Sequence, residues 1–493
     1  MYRLHDRRSM DTHRRVGHNT ENNEEESPVN PGFEEVMSIR GRGMPADGEV
    51  TISGSDPVFS ARFKIGETTA NILAGICVAV TDIHEMKTGK RQKVAIDVRH
   101  AAATCQSSKF LSKPAAGGGW KAVESSSMTH MRSITQPWQC KDGRWYLPHF
   151  NLPHLHDRVI GVLKCESNAD AVKKAISKWD SHDLEEAIAE ARACGSIIRS
   201  NAEWLEHPHG KVLAGRALID ITKIGDTDPI PFPKGERPLS GIKVLDLTRI
   251  LAGPIAARTL AENGADVLMI TAKHLPQVPE HVMDTSHGKR STFLDFNKPE
   301  DVATVKKLAR NADVFSQGYR PGIMDKHGLS PEQLAKERPG IIYLSISCYG
   351  HGGPFSNRGG WEQIGQSATG ICLDNGDERP KLLPASACDY TTGYNGALGV
   401  LLALARRARE GGSYHVRVSL CRSGMYIYKQ GHVKYPQPDM GLSEAELNAI
   451  LIESTGGHGA LKHLGPVLKM SETKPYWDKP SPVLGANKAE WLA

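Results

Sequence analysis

The chain has 493 residues, of which 39% are hydrophobic and 24% are charged, a composition typical of a globular protein. A formal net charge of +5 over this length is too small to indicate a nucleic-acid partner, although it would suit an anionic small molecule. The cysteines are scattered without a CxxC pair, so we expect reduced thiols and a cytoplasmic location. No apolar run reaches membrane-spanning length, so no membrane partner is expected.

Residues 1–57 are predicted to be mostly disordered, because they are rich in charged residues and poor in apolar ones. They contain no apolar core of the kind found in a secretory signal peptide. Five arginines between Arg3 and Arg15 would suit a mitochondrial presequence, whereas Asp6 and Asp11 argue against one. A mitochondrial location is therefore the alternative to a cytoplasmic one.

Residues 58–223 are predicted to form a first compact unit. A helix rich in small and branched residues is expected first, followed by a strand, and residues 105–135 are expected to be loop. Later segments read as a hairpin and as amphipathic helices. The predicted elements are the helix Thr68–Glu85, the strand Lys93–Val98, a hairpin turn at Asp142–Arg144, and helices at Ala169–Ile176, Asp183–Ala193 and Ser200–Leu205. Residues 224–238, with four prolines, read as a linker.

After this linker, buried-strand runs alternate with helical segments. Strands are predicted at Val244–Leu247, Val267–Ile270, Ser291–Asp295, Asp313–Ser316 and Ile341–Ile346, and helices at Ile255–Glu262, Asp301–Ala309 and Pro331–Lys336. This alternation predicts an α/β fold, with a Rossmann-like parallel sheet and helices on both faces. No GxGxxG motif follows the first strand, which speaks against a dinucleotide site. The histidines show no metal-ligand spacing, so no metal is expected.

A lone acid, Asp389, precedes the helical segment Val400–Arg409 and the alternating strand Tyr414–Leu420. On local sequence alone it reads as a helix N-cap, whose side chain accepts a backbone amide. Its neighbour Cys388 could be read as a nucleophile, but no Cys/His/Asn constellation is visible near it. A small buried thiol is therefore the preferred interpretation of that cysteine.

The stretch around Asp389 repeats a pattern from the first unit. Aligning the two without gaps pairs Glu67 with Asp389 and Gly89 with Gly411. Identities are few, so the repeat rests on the pattern of helix, turn and strand. Glu67 is longer than aspartate by one methylene, and a helix-start role fits it better than that of a second nucleophile.

Short motifs in the second half of the chain follow one another in a characteristic order. They are Gly241–Pro254, Gly264–Val267, His287–Ser291, Tyr319–Gly322, Ser347–Gly350, and Asp389 with Gly393. In order and spacing they resemble the class III CoA-transferases of the CaiB/BaiF type, the family of formyl-CoA transferase and α-methylacyl-CoA racemase. Residues 58–223 look like the later half of that family's chain.

The resemblance implies a domain order and a fold. It suggests a tandem arrangement with a truncated first copy at 58–223, a second copy at 239–430, and a C-terminal segment at 431–493. The fold implied is the Rossmann-like domain with a smaller α+β domain. Family members form interlocked homodimers, so the expected assembly is either a homodimer or an intramolecular pseudo-dimer.

The resemblance also implies a chemistry, the transfer of CoA from an acyl-CoA to a carboxylic acid without a further cofactor. An aspartate carboxylate attacks the acyl-CoA thioester, and an anhydride and then an aspartyl-CoA thioester follow. Asp389 occupies the position of this aspartate. Backbone amides near Gly393 and Gly396 are expected to stabilise the oxyanion or to orient the carboxylate.

Because CoA carries phosphates, cationic side chains are expected to bind it. The candidates in or beside the matching motifs are Arg249, Lys289, Arg290, Arg320 and Lys326, of which Arg320 is preferred. For each of them the alternative is a solvated surface charge.

Two other functions stay open at this point. A racemase would need a histidine in a Gly-His-Asp motif, where this chain has Gly360-Trp361-Glu362, so α-proton exchange is disfavoured. The other alternative is a degenerate paralogue that binds CoA without turnover.

Overall fold

The computed structural model describes residues 30–433 and 440–492. Its helices are α1 Pro31–Arg40, α2 Ile65–Thr88, α3 Val98–Thr104, α4 Ser126–Ile134, α5 Pro153–Leu163, α6 Ala169–Ile176, α7 Ser181–Glu190, α8 Asn201–Glu206, α9 Pro208–Ala214, α10 Ala252–Glu262, α11 Pro279–Thr285, α12 Pro299–Ala309, α13 Ile323–Lys326, α14 Pro331–Glu337, α15 Glu362–Thr369, α16 Ile371–Asp374, α17 Ala387–Glu410, α18 Leu420–Lys429 and α19 Glu444–Ile450. Its strands are β1 Val50–Ser53, β2 Val94–Asp97, β3 Ser112–Pro114, β4 Trp120–Ala122, β5 Trp138–Gln139, β6 Trp145–His149, β7 Cys194–Ile197, β8 Asp220–Gly225, β9 Lys243–Asp246, β10 Asp266–Thr271, β11 Lys289–Phe293, β12 Val314–Gln317, β13 Ile342–Ser347, β14 Ser413–Ser419, β15 Leu451–Gly456, β16 Gly459–Leu464 and β17 Lys469–Met470.

The largest sheet has seven strands in the order β11-β10-β9-β12-β13-β14-β8. Neighbouring strands from β11 to β14 are parallel, and β8 is antiparallel to β14. The predicted α/β fold with a Rossmann-like parallel sheet is confirmed. The linker prediction is wrong at its start, because residues 224–225 end β8 and pair with the edge strand β14.

The order of the strands reverses at β9. From this central strand the chain adds β10 and β11 on one side, and β12, β13 and β14 on the other. In an open parallel sheet, such a reversal leaves a crevice at the carboxyl ends of the two strands that flank it. Here the crevice lies at the carboxyl ends of β9 and β12.

Two long helices, α2 and α17, pack against each other in the main core. Each has 24 residues, and each is followed by a glycine with positive φ, Gly89 or Gly411. A strand and a helix follow both of them. These matching lengths agree with the predicted pairing of Glu67 with Asp389, whereas the tandem arrangement itself stays a prediction. The domain boundary at the linker does not divide the core, since residues on both sides contribute to one cluster.

The prediction of disorder is wrong for part of residues 30–57. Helix α1 buries Phe33, Val36 and Met37, and it packs against α2. Strand β1 pairs in parallel with β2. Helix α1 has few apolar positions among many polar ones, so the composition of this region did not indicate a short helix there. The arginine-rich part of the predicted disordered region lies outside the described residues.

The segment 105–135, predicted to be loop, contains a 3-10 helix at Ser107–Phe110, the hairpin β3–β4 and helix α4. Strand β3 pairs with β16, which joins the C-terminal segment to the first unit. Strand β6 pairs with both β5 and β7, so the predicted hairpin is confirmed. This sheet and α4 to α7 bury a separate cluster, which forms the smaller α+β unit. Within the described residues, no helix has the length and apolarity needed to cross a bilayer.

Candidate active site

The loop after β9 opens the crevice of the large sheet. Thr248 donates from its backbone N–H and its hydroxyl to Asp246 Oδ1, at 3.0 and 2.5 Å. Ile250 has a φ of +75°. This conformation is unfavourable for a β-branched residue, and such residues cluster where the surrounding structure holds the backbone for a function. The loop is therefore held in one shape at the edge of the candidate site.

A buried ion pair fixes both ends of this loop. Lys289 Nζ donates to Asp246 Oδ2 at 3.0 Å and to the carbonyl oxygen of Pro254 at 2.9 Å. Both charged side chains are fully shielded from solvent, at 0% exposure. The predicted CoA contact Lys289 therefore has its hydrogen bonds inside the protein, where it ties β9 to the first turn of α10.

Asp389 lies in the first turn of α17, and its side chain is 8% exposed. It is not the N-cap, since Ser386 occupies that position. The carboxylate of Glu362 accepts the backbone N–H of Asp389 at 2.6 Å and that of Cys388 at 3.0 Å. The N-cap prediction for Asp389 is wrong because a carboxylate from another helix satisfies these terminal amides. The Asp389 carboxyl is thereby left available to line a cavity.

Glu362 and Asp389 form a buried pair of carboxyl groups. Burial raises the pKa of Asp389 well above its ordinary value, and the neighbouring Glu362 raises it further. Burial raises the pKa of Glu362 to about 7, although hydrogen bonds from Gln366 and the two amides act in the opposite direction. The negative charge is better stabilised on Glu362, which accepts these bonds. The two groups titrate as a unit, and Asp389 becomes a carboxylate only when the pair loses its second proton.

A cavity of about 280 Å³ opens on one side of Asp389, and we call it the arginine cavity. It lies in the crevice at the carboxyl ends of β9 and β12. Its lining includes Arg249, Arg320, Arg358, Trp361 and Asp389. Three guanidinium groups beside one acid favour a ligand that is anionic over part of its length.

The three arginines differ in how strongly they are already bound. Arg358 Nη2 contacts both carboxylate oxygens of Glu186, at 2.6 and 2.8 Å. Arg320 Nη2 donates to the carbonyl oxygen of Arg192 at 2.8 Å. Arg249 donates to the carbonyl oxygen of Pro276, while its buried Nε has no partner among the described residues. Arg249 and Arg320 therefore have the most donors left for a ligand.

Arg358 and Glu362 are functional candidates that sequence reasoning did not propose. Arg358 stands in a glycine-rich stretch that follows β13. Side chains after the carboxyl ends of parallel strands gather in one crevice, and this rule could have indicated Arg358. No local signal in the sequence shows that Glu362 accepts the amides of Asp389.

A second cavity, of about 390 Å³, lies on the other side of Asp389, and we call it the inner cavity. It shares Ile250, Leu251, Trp361 and Asp389 with the arginine cavity. Trp361 stacks on His149, with ring centroids 5.2 Å apart and planes 5° from parallel. Part of the wall comes from residues 105–151 and part from residues 361–389. Asp389 thus stands where the two cavities meet.

The remaining predicted CoA contacts lie elsewhere. Arg290 is paired with Asp266, at 2.9 and 3.0 Å, and donates to the carbonyl oxygen of Glu490 at 2.7 Å. Lys326 is exposed at the end of the short helix α13. Neither residue lines the arginine cavity or the inner cavity. Of the five predicted cations, the structure brings only Arg249 and Arg320 to Asp389.

Gly393 lies inside α17, so its amide is used within the helix. An added Cβ would come within 2.5 Å of the carbonyl oxygen of Ala252, on the first turn of α10. The expectation that this amide faces a reacting oxygen is therefore wrong. The position allows α10 and α17 to approach closely.

Two further residues, Cys388 and Glu67, were considered as nucleophiles from the sequence. Cys388 is buried, and burial raises the pKa of its thiol well above its ordinary value, which supports the interpretation as a small buried side chain. Glu67 lies in the first turn of α2 and pairs with Lys64 at 2.9 Å. The expected helix-start role of Glu67 is confirmed.

The sequence of the second unit matches a known enzyme family. Residues 239–450 match the model of CoA-transferase family III. The match covers somewhat less than half of the 493-residue chain. The matched region contains the large parallel sheet from β9 to β14, the arginines of the crevice and Asp389.

Curated relatives align with parts of the chain. An acetyl-coenzyme A transferase of Hypoxylon pulicicidum is 33% identical, over 58% of this chain and 53% of its own length. The β subunit of a succinyl-CoA–L-malate CoA-transferase of Chloroflexus aurantiacus is 34% identical, over 38% of this chain and 50% of its own. A succinate–glutarate CoA-transferase of Agrobacterium fabrum is 28% identical, over 48% and 68%. The chain spans about half the length of the first two relatives.

Among solved structures, a CaiB/BaiF family protein of Brucella suis is 29% identical. The match covers 46% of this chain and 65% of that protein, with a TM-score of 0.37. A Mycobacterium tuberculosis protein is 28% identical over 40% of this chain and 59% of its own, with a TM-score of 0.38.

Proposed function

We propose that this protein is an acyl-CoA:carboxylate CoA-transferase in which Asp389 is the nucleophile. The observation that carries the proposal is the position of Asp389, which lines both cavities within the family III segment. The names of the aligned relatives, which transfer CoA between carboxylic acids, support it. The arginine cavity would take the phosphates of CoA, and the inner cavity would take the acid.

The reaction proceeds in four displacements. The Asp389 carboxylate attacks the thioester carbonyl, and the C–S bond breaks to give an acyl–aspartyl anhydride and CoA thiolate. The thiolate attacks the aspartyl carbonyl, which releases the first acid and leaves an aspartyl-CoA thioester. The acceptor carboxylate attacks that thioester and expels CoA thiolate again. The thiolate then attacks the acceptor's acyl carbonyl, which forms the new acyl-CoA and restores Asp389.

The surroundings of Asp389 suit these displacements. Because Asp389 is largely withdrawn from water, the anhydride and the thioester are protected from hydrolysis. The amides of Cys388 and Asp389 are bonded to Glu362, so the first turn of α17 is fixed before a substrate arrives. The Asp389 carboxylate lines both cavities, so it can then reach a carbonyl group in either one.

The covalent intermediate is tested by trapping it. The full chain is incubated with a panel of acyl-CoAs and hydroxylamine, and its peptides are mapped by mass spectrometry. We expect a hydroxamate on the Asp389 peptide, absent in Asp389→Ala and retained in the matched variant Glu67→Ala. CoA binding without any Asp389 adduct would refute the transferase and indicate the degenerate binding protein. Deuterium incorporation at the α-carbon of the acyl group would indicate the racemase instead.

We also propose that one chain builds the whole site, as an intramolecular pseudo-dimer. Residues before and after the predicted linker line the inner cavity together, which supports this arrangement over one that needs a second copy. Light scattering combined with activity should find full activity in the monomer. Activity confined to a dimer would contradict it and favour the homodimer.

A further inference from the structure

The side chain of Trp361 lies where the arginine cavity meets the inner cavity. It lines both of them, together with Asp389, Ile250 and Leu251. The four displacements at Asp389 require no indole, so the proposed reaction by itself gives this side chain no role. A thioester that enters from the arginine cavity meets Trp361 at the point where its acyl group continues into the inner cavity.

The smaller α+β unit contacts Trp361 through two neighbouring strands. His149 on β6 is the cross-strand partner of Cys194 on β7. His149 lines the inner cavity, whereas Cys194 lines the arginine cavity. Helix α15, whose N-cap is Trp361, packs against both strands. The position of the indole is therefore set by a unit other than the one that contains Asp389.

The imidazole of His149 fixes the orientation of the indole. The planes of the two rings are 5° from parallel, and their centroids are 5.2 Å apart. Burial lowers the pKa of His149 to about 4, so the imidazole is neutral at pH 7. Its Nε2–H donates to Gln363 Oε1 at 2.8 Å, and its Nδ1 accepts the backbone N–H of Asn151 at 3.4 Å. Both ring nitrogens have partners, which fixes the tautomer and the plane of the ring.

Two further contacts hold Trp361 beside the reacting group. Burial raises the pKa of the Cys194 thiol to about 11, and a hydrogen bond with Trp361 acts in the opposite direction. The next residue, Glu362, accepts the backbone N–H of Asp389 at 2.6 Å. The indole is thus attached to the smaller unit on one side and to the first turn of α17 on the other. It forms a wall that cannot easily move away from Asp389.

We propose that Trp361 determines which acyl groups react, as a wall that excludes a branch at the carbon next to the thioester carbonyl. This carbon must lie beside Asp389 when the carboxylate attacks, and so it lies against the indole. A straight chain can pass the wall into the inner cavity, whereas a methyl branch at this carbon would overlap the fixed ring. His149 is the positioning residue of the wall. The inference rests on the proposed function, because it places the attacked carbonyl at Asp389.

The first test measures binding, so it does not depend on turnover. Isothermal titration compares butyryl-CoA with its branched isomer isobutyryl-CoA in the full chain carrying Asp389→Asn, which prevents formation of the anhydride. We expect the straight isomer to bind about 10-fold more tightly or better, as one misplaced methyl group in a fitted pocket costs. Adding Trp361→Leu should abolish this preference, and adding Trp361→Phe should reduce it. CoA without an acyl group should bind equally to all of these variants, which shows that they fold.

The matched control is Trp120→Leu, added to the same Asp389→Asn chain. Trp120 lies on β4 and lines neither the arginine cavity nor the inner cavity. This control should keep the full preference for butyryl-CoA. Loss of the preference in the control as well would contradict a specific role of Trp361.

The second test examines His149 through transfer from the two isomers to one acceptor acid. His149→Ala removes the stacked ring, so we expect KM for isobutyryl-CoA to fall toward that for butyryl-CoA. His149→Phe keeps an aromatic ring on the indole and should restore the difference. An equal loss of activity with both isomers, at an unchanged ratio of kcat/KM, would show a purely structural role and refute the positioning role.

The outcomes separate this inference from the proposed function. Equal binding of the two isomers to Asp389→Asn, or a preference that Trp361→Leu leaves unchanged, would overturn the inference and leave the proposed function standing. A preference for butyryl-CoA that depends on Trp361, without transfer from either isomer in the unaltered chain, would instead refute the proposed function alone.

Discussion

At the scale of single residues, the chemistry depends on which carboxyl of the pair carries the charge. Glu362 receives the amides of Cys388 and Asp389, so it is the group that ionises more readily. Burial and the neighbouring Glu362 carboxyl raise the pKa of Asp389 well above its ordinary value, although a backbone hydrogen bond from Glu362 acts in the opposite direction. Asp389, the proposed nucleophile, is therefore kept protonated at acidic pH by its own neighbour.

The first prediction follows from this coupling and concerns the pH profile of Glu362→Gln. If the carboxylate of Asp389 is the reacting form, the rate rises with pH as the pair loses its second proton. Removing the charge at position 362 lowers the pKa of Asp389, so the acidic limb of the kcat profile should move down by about one pH unit or more. Glu67→Gln is the matched control and should leave the limb in place. An unchanged or upward-shifted limb in Glu362→Gln would contradict the coupling.

At the scale of elements, the site is held by contacts between β9, α10, β11 and α17. Lys289 on β11 reaches across to Asp246 at the end of β9 and to the first turn of α10. Gly393 lets α17 approach α10. These contacts fix the loop that contains Arg249 and Ile250, and so they orient one wall of both cavities.

The second prediction is that Lys289→Met destabilises the fold by about 3–5 kcal/mol, because it leaves Asp246 charged and buried without a partner. Urea unfolding followed by circular dichroism measures the change. Lys326→Met is the control, and this exposed residue should alter the free energy of unfolding by no more than about 0.5 kcal/mol. The double variant Lys289→Met/Asp246→Leu should recover part of the loss. A loss confined to CoA binding, at unchanged stability, would instead show that Lys289 contacts CoA.

At the scale of the whole molecule, the first unit and the second share one hydrophobic core. Helix α2 packs on α17, β8 completes the large sheet, and residues 105–151 form a wall of the inner cavity. A core that crosses the predicted domain boundary should unfold as one unit.

The third prediction tests this shared core with Leu73→Ala in α2. Leu73 is buried in the main cluster, so its truncation should cost about 2–5 kcal/mol. Differential scanning calorimetry should show one transition in both proteins, shifted to a lower temperature in the variant. Separate transitions, of which only the first responds to Leu73→Ala, would mean that the two units unfold independently.

Local sequence accounted for much of the fold. Strands β9 to β14 were predicted within about two residues of their observed ends, because buried parallel strands and their intervening helices give strong periodic signals. The same reasoning failed for α1 and for residues 105–135. Short elements there are stabilised by packing on distant parts of the chain, such as β16 on β3.

The sequence by itself determined the α/β class, the order of the strands along the chain and the candidate nucleophile Asp389, since these depend on local pattern and on motifs. Only the tertiary structure decided which cations reach that residue. Arg249 and Arg320 line its cavity, whereas Lys289 and Arg290 are bound to Asp246 and Asp266. Its partner Glu362 likewise comes from another helix, α15. Such contacts depend on how strands and helices pack, and no periodicity within one segment records them.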